Sequence, residues 1–152
     1  MSGKLTDTML LTELTGKRVL IVEDDPLLLE LIATRLELAG LRTFIARNGV
    51  EGIRRATELK PDGVVLDINM PILDGFGVLD QMRQSELLCT TPTLVLTARN
   101  KPDDVSQAIR LGAKDYLTKP FNDRQLVQRV GRLLRQRRVP QDRDDGAAVL
   151  NF

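Results

Sequence analysis

Gly63-Val64-Val65-Leu66-Asp67-Ile68-Asn69-Met70-Pro71-Ile72-Leu73-Asp74-Gly75 is the stretch on which the fold turns. Gly63 to Leu66 is a short apolar run of the kind buried on both faces of a parallel sheet. The run ends abruptly on an acid, Asp67. A Met-Pro loop follows from Ile68 to Leu73, and Asp74 then stands where a helix N-cap belongs, ahead of a helix expected over about Gly75 to Gln84. Strand, acid, loop and capped helix make one β-α unit.

The same unit recurs on either side. Upstream, Arg18 to Val22 is a near-continuous apolar run that ends in Glu23-Asp24-Asp25, with Asp25 as N-cap and Pro26 suited to the first helical position. That helix runs to about Ala39 and stops at Gly40. Arg42 to Ala46 reads as a strand, and Asn48 with Glu51 resembles a capping box for a helix ending near Lys60-Pro61. Downstream, Thr93 to Leu96 is a strand that ends at Thr97-Ala98. Pro102 to Leu111 is a helix closed by Gly112, and Asp115 to Thr118 is a short strand ahead of Lys119-Pro120. Asn122, with Gln125 three residues on, begins a helix reaching about Gln136. Five β-α units predict a doubly wound α/β sandwich, a five-stranded parallel sheet with helices on both faces. The units occupy residues 17–137. Residues 1–16 form an N-terminal extension and 138–152 a C-terminal tail, both too short for a second domain.

Composition narrows the chemistry. The 152 residues include 22 basic and 21 acidic side chains, one cysteine and no histidine. Without histidine there is no Ser-His-Asp triad and no His-ligated metal. A lone Cys89, read as an inert thiol, forms no intrachain disulfide and no paired-cysteine zinc site. A net charge of +1 gives no standing attraction to nucleic acid or to a membrane surface. No apolar run approaches the roughly 18–20 residues of a membrane span, and the start lacks a secretory signal. The expected setting is reduced and cytoplasmic.

In open α/β sheets the ligand site lies outside the carboxyl ends of the strands. Those ends carry Glu23, Asp24 and Asp25 on the first strand, Asp67 on the third, Thr97 on the fourth and Lys119 on the fifth. Carboxylates gathered at one edge repel unless a cation or a shared proton intervenes. Oxygen ligands alone favour Mg²⁺, with Mn²⁺ as a substitute. An aspartate beside such an ion, with a lysine and a hydroxyl converging, has the parts for phosphoryl transfer to a carboxylate. Turn and capping preferences account for Asp25 and Asp74 taken singly. They give no reason for Lys119 and Thr97 to share the edge.

Four pieces together resemble the response-regulator receiver domain, of CheY-like fold. They are Val22-Glu23-Asp24-Asp25-Pro26, Asp67 to Gly75, Thr97-Ala98, and Tyr116-Leu117-Thr118-Lys119-Pro120-Phe121. The resemblance covers residues 17 to about 137 and implies a flavodoxin-like sheet of strand order 2-1-3-4-5. It implies that Asp67 is phosphorylated, that Asp24 and Asp25 bind Mg²⁺ together with Asp67 and the backbone carbonyl of Asn69, and that Lys119 pairs with the phosphoryl oxygens. It further implies a cis bond between Lys119 and Pro120, a Thr97 hydroxyl that swings onto the phosphoryl group, and a Tyr116 that turns into the space vacated. Small Ala98 leaves the phosphoryl site open, and Asn69 and Arg99 occupy positions that tune the phosphoryl lifetime. Such a domain is not an enzyme in the ordinary sense, although it assists its own phosphorylation and dephosphorylation.

Surface patterning suggests partners. Around the first helix, Leu29, Ile32, Ala33 and Leu36 share one side, and Leu27, Leu31, Thr34 and Leu38 fall opposite. The resemblance makes the leucine stripe Leu27, Leu31 and Leu38 a docking surface for a histidine kinase or histidine phosphotransferase. The bland alternative is cover by Leu10 and Leu14 of the N-terminal extension. On the last helix Leu126, Val127, Val130, Leu133 and Leu134 face inward, with Arg124, Arg129, Arg132, Arg135, Arg137 and Arg138 outside. That outer face reads as solvated, with Asp142, Asp144 and Asp145 near enough to neutralise it, or as a homodimer surface formed by helix four, strand five and helix five, and not as a direct nucleic-acid contact. The expected output is a contact with a downstream protein. Two alternatives remain at this stage: a receiver cut from a larger regulator, and an aspartyl-phosphate hydrolase of the haloacid dehalogenase type.

Overall fold

β-branched and leucine runs with alternating faces build the sheet, and the computed structural model describes residues 14–98 and 101–136. The strands are β1 (Arg18–Val22), β2 (Arg42–Ala46), β3 (Gly63–Asp67), β4 (Thr93–Ala98) and β5 (Asp115–Lys119). The helices between and after them are α1 (Pro26–Leu38), α2 (Gly49–Leu59), α3 (Gly75–Gln84), α4 (Pro102–Arg110) and α5 (Asp123–Gln136). All four strand pairings are parallel, in the order β2-β1-β3-β4-β5. This is the doubly wound (βα)5 sandwich expected from the sequence.

Alternation along each strand divides the core into two layers. Val19, Ile21, Val65, Leu94, Leu96 and Leu117 pack under α1 and α5, against Leu29, Ile32, Leu36, Leu126, Val130 and Leu133. Leu20, Val22, Val64, Leu66 and Val95 pack on the other face, against Ala56, Val78, Leu79, Met82 and Ala108 from α2, α3 and α4. Each fully buried leucine or valine contributes about 1.5–3 kcal/mol of transfer free energy. The first layer also takes in Leu14, which is 1% exposed. Leu14 therefore packs beneath α1 and away from its leucine stripe. The folded unit reaches back into the segment read as an extension, while Leu10 lies outside the described residues.

Capping follows the sequence closely. Asp25 accepts from the backbone N–H groups of Leu27 and Leu28, Asn48 from Glu51 and Asp74 from Gly77. The strand ends differ from expectation. β3, β4 and β5 run on through Asp67, Ala98 and Lys119, because the ladder pairs Asp67 with Leu96, Thr97 with Thr118 and Ala98 with Lys119. Polar residues read as strand terminators are held inside the ladder. Arg99, Arg137, Arg138, Asp142, Asp144 and Asp145 lie outside the described residues. No helix among the described residues is long and apolar enough to cross a membrane.

Candidate functional site

Four strand ends, those of β1, β3, β4 and β5, and the loop after β3 meet at the carboxyl edge of the sheet. Asp67, the last residue of β3, is 2% exposed, and its neighbour Glu23, immediately after β1, is 1% exposed. Asp24 stands beside them at the surface. One carboxylate oxygen from each of Glu23, Asp24 and Asp67 lies within 4.8 Å of the others. From β5 the Lys119 ammonium reaches across, donating to Asp67 Oδ1 at 3.1 Å and sitting 3.7 Å from Glu23 Oε1. The Lys119–Pro120 peptide bond is cis.

The loop after Asp67 is fixed by its own hydrogen bonds. Ile68 N–H donates to Leu96 C=O at 3.2 Å, and Gly75 N–H donates to Ile68 C=O at 2.8 Å. Ile68 and Met70 are buried as anchors. A Cβ on Gly75 would come within 2.6 Å of the Ile68 Cα and 2.7 Å of the Asp67 carbonyl oxygen, so only glycine lets the start of α3 pass this close behind the site. Asn69 is exposed, and its N–H donates to Asp67 Oδ1 at 3.4 Å.

Electrostatics mark Glu23 as the residue out of balance. Burial pushes its carboxyl up from 4.5 to about 7, and the Asp67 charge adds to the rise; the Asp25 backbone N–H and Lys119 oppose it. Glu23 Oε2 accepts from the Asp25 N–H at 3.1 Å, whereas buried Oε1 has no hydrogen-bond partner. Thr97, 1% exposed at the end of β4, likewise keeps its Oγ1 buried without a partner. A buried oxygen without a hydrogen bond is costly in a folded interior, and this edge of the sheet holds two of them.

Sequence reasoning placed Asp24, Asp67, Thr97, Ala98 and Lys119 at this edge; the structure gathers the side chains of Asp24, Asp67 and Lys119, and puts Thr97 and Ala98 at the end of the neighbouring β4. It separates Asp25 from them. The Asp25 Oδ1 is committed to capping α1, at 3.0 Å from Leu27 N–H and 3.5 Å from Leu28 N–H. The acid that joins the cluster in its stead is Glu23, which sequence reasoning counted at the strand end without giving it a ligand's role. The signal for it was present: an acid directly ahead of a Pro at the first helical position is an N-cap, and an N-cap turns its oxygen toward its own helix. Tyr116 does not point into the site. It is 38% exposed, its carbonyl accepts from Arg129, and the Arg129 guanidinium lies 5.9 Å from its ring centre. The leucine stripe faces solvent, with Leu27 77%, Leu31 41% and Leu38 75% exposed.

The chain is thus a doubly wound α/β domain with buried acids and a lysine at the carboxyl edge of its sheet, and the comparisons with known proteins give it a family. The family model of the response regulator receiver domain matches residues 19–131, and the chain belongs to that family. It is 44% identical over 126 residues to the transcriptional regulatory protein PrrA of Mycobacterium tuberculosis, covering 83% of this chain and 53% of PrrA. A putative response regulator from Chloroflexus aurantiacus superposes with a TM-score of 0.77 at 33% identity, over 80% of this chain and 99% of that one. The receiver domain of the sensor histidine kinase PA1611 from Pseudomonas aeruginosa, solved with a magnesium ion coordinated in its active-site cleft, superposes with a TM-score of 0.73 at 29% identity. That match covers 79% of this chain and 98% of the other. The chain spans about half the length of the curated relatives it matches. It is a receiver domain homologous to two-component regulators, and the haloacid dehalogenase alternative falls away.

Proposed function

We propose that Asp67 accepts a phosphoryl group from a histidine kinase or histidine phosphotransferase, and that the domain passes the change to a partner protein. The observation that carries this reading is the Asp67 carboxylate itself, 2% exposed, 3.1 Å from the Lys119 ammonium and within 4.8 Å of two further acids. An Asp67 oxygen attacks the phosphorus in line. The new O–P bond forms as the donor's N–P bond breaks, and the leaving imidazole keeps the electron pair and takes up a proton. Lys119 holds the attacking carboxylate in place and, once transfer has occurred, pairs with a phosphoryl oxygen. The Thr97 hydroxyl gains in that oxygen the partner it lacks.

The donor set fits a hard divalent ion. Glu23, Asp24 and Asp67 offer carboxylate oxygens, one of them an orphan, and we assign them with the Asn69 carbonyl as the residues that hold Mg²⁺ or Mn²⁺. When bound, the ion supplies charge neutralisation for the phosphoryl oxygens. Asp25 is reassigned to the helix cap. In this reading the chain is an acceptor that assists its own modification, and it works in the cytoplasm within residues 17–137. Its exposed stripe Leu27, Leu31 and Leu38 docks the phosphodonor. The face formed by α4, β5 and α5 serves a downstream protein or a second copy, with no direct nucleic-acid contact.

One experiment with two donors tests this. Acetyl phosphate with Mg²⁺ should give an acid-stable, base-labile phosphate that Asp67→Asn abolishes. Labelling that survives Asp67→Asn would falsify the acceptor assignment. With the cognate kinase as donor, Leu27→Glu together with Leu31→Glu should slow transfer at least tenfold while labelling by acetyl phosphate stays unchanged. Equal loss with both donors would remove the docking role.

A further inference from the structure

β2 is an edge strand, and no strand among the described residues lies on its outer side. In the β1–β2 ladder Arg42 N–H donates to Lys17 C=O at 2.8 Å, and Ala46 C=O accepts from Glu23 N–H at 3.0 Å. Residues 42, 44 and 46 therefore turn their backbone groups toward β1, and alternation turns those of Thr43 and Ile45 outward. On this outer row the Arg55 guanidinium donates to the Ile45 carbonyl at 3.1 Å. A carbonyl has two lone pairs, so that contact still leaves room for a ladder bond.

The two faces of this edge carry opposite charge. On the α1 face Ile45 packs against the first core layer, and the Thr43 hydroxyl donates to Glu37 at 2.5 Å. A groove of about 570 Å³ lies here, lined by the apolar Leu29, Ala33 and Ile45 and by the acids Glu30 and Glu37. On the α2 face Phe44 packs against the second core layer. The guanidiniums of Arg42 and Arg55 lie 5.8 Å and 6.0 Å from its ring centre. Glu30, Arg42 and Arg55 form no ion pair with any described residue. An open backbone row thus runs between uncompensated acids on one face and uncompensated bases on the other.

We propose that the outer edge of β2 accepts an extended segment of a different protein in which basic and acidic residues alternate. A strand added to a sheet edge sends successive side chains to opposite faces. Its basic side chains lay their alkyl stems over Leu29 and Ala33 and bring their charges to Glu30 and Glu37. Its acidic side chains fall on the other face, between Arg42 and Arg55. A second copy of β2 does not fit. Antiparallel pairing of two identical edges about a two-fold axis keeps each face on its own side, so acids would meet acids and guanidiniums would meet guanidiniums. Exposed ion pairs are individually weak, so the backbone ladder supplies the attraction and charge selects the partner. Charge also sets the register, because a slip of one residue turns every side chain to the wrong face.

Amide hydrogen exchange in the full chain reads this directly, with an alternating Lys-Glu heptapeptide in large excess as the probe. A peptide of the same residues arranged as a lysine block and a glutamate block is the control. At low ionic strength the Thr43 and Ile45 amides should exchange about fivefold or more slowly with the alternating peptide than with the control, and added salt should narrow the gap. Glu30→Lys/Glu37→Lys should remove most of the protection. Adding Arg42→Glu/Arg55→Glu to that variant should restore it, because the exchanged faces accept the same peptide one residue out of register. The Phe44 amide, bonded to β1, should stay slow throughout and so reports intact folding. Equal protection by the two peptides, or none by either, would overturn the proposal. So would protection that grows with protein concentration in the absence of peptide, since a second copy would then be the occupant.

Discussion

Burial holds the Glu23 carboxyl protonated up to about pH 7, well above its ordinary value of 4.5, and the adjacent Asp67 charge pushes the same way. Between those two pH values the folded protein binds more protons than the unfolded chain, so its stability falls as pH rises through the window. The expected loss is at most about 3 kcal/mol. Urea unfolding of metal-free protein at pH 5 and pH 7.5 should show it, and Glu23→Gln should flatten the difference. Added Mg²⁺ should stabilise the wild type more at the higher pH, because the ion and the proton compete for the same oxygens; a stabilisation independent of pH would count against Glu23 as a ligand. Ile72 carries a different imbalance. It is a β-branched residue at φ 73° on the loop behind Asp67, 86% exposed, with no burial to offset the strain. Ile72→Asn, a residue that tolerates this conformation, should raise stability by about 1 kcal/mol in the same unfolding assay. No gain would mean that the loop relaxes its backbone around isoleucine.

The start of α1 separates two jobs that three consecutive acids leave ambiguous in the sequence. Asp25→Ser preserves a side-chain cap and should leave Mg²⁺ affinity within about threefold, at a stability cost of a few tenths of a kcal/mol. Asp24→Asn should lower the affinity by tenfold or more at nearly unchanged stability, and titration of Mg²⁺ against the chemical shifts of the Asn69 loop distinguishes the two. Comparable losses from both would return Asp25 to the ligand set. The elements themselves were readable because apolar runs, caps at Asp25, Asn48 and Asp74, and stops at Gly40 and Gly112 all agree with one another. The strand ends were not. Asp67, Thr97 and Lys119 look like terminators by residue type, yet backbone pairing across the sheet carries them inside β3, β4 and β5. A ladder formed by distant strands leaves no mark on local composition.

At the scale of the whole molecule two side chains lie between the site and the outer surface of β5, one buried without a partner and one exposed against an arginine. Thr97 Oγ1 is buried without a partner, and Tyr116 lies outside, its carbonyl bonded to Arg129. Between α4 and β5 a cavity of about 250 Å³ is bordered by Ala98, Val105, Tyr116 and Thr118. On the proposed function, a phosphoryl group on Asp67 would offer Thr97 its missing partner, and drawing the end of β4 toward the site would make room for the tyrosine ring in that cavity. The phosphoryl group can shift the equilibrium only by its differential interaction with the two conformers. Tyr116 is the sole tyrosine in a chain without tryptophan, so its fluorescence reports this one position. Addition of Mg²⁺ with beryllium fluoride, a phosphoryl mimic, should change that emission in the wild type. The change should vanish in Thr97→Ala, although the mimic still binds Asp67 and Lys119. Emission in Thr97→Ala that responds as in the wild type would break the link between the hydroxyl and the ring, and would leave Arg129 and Asp115 as the groups that set the tyrosine's position.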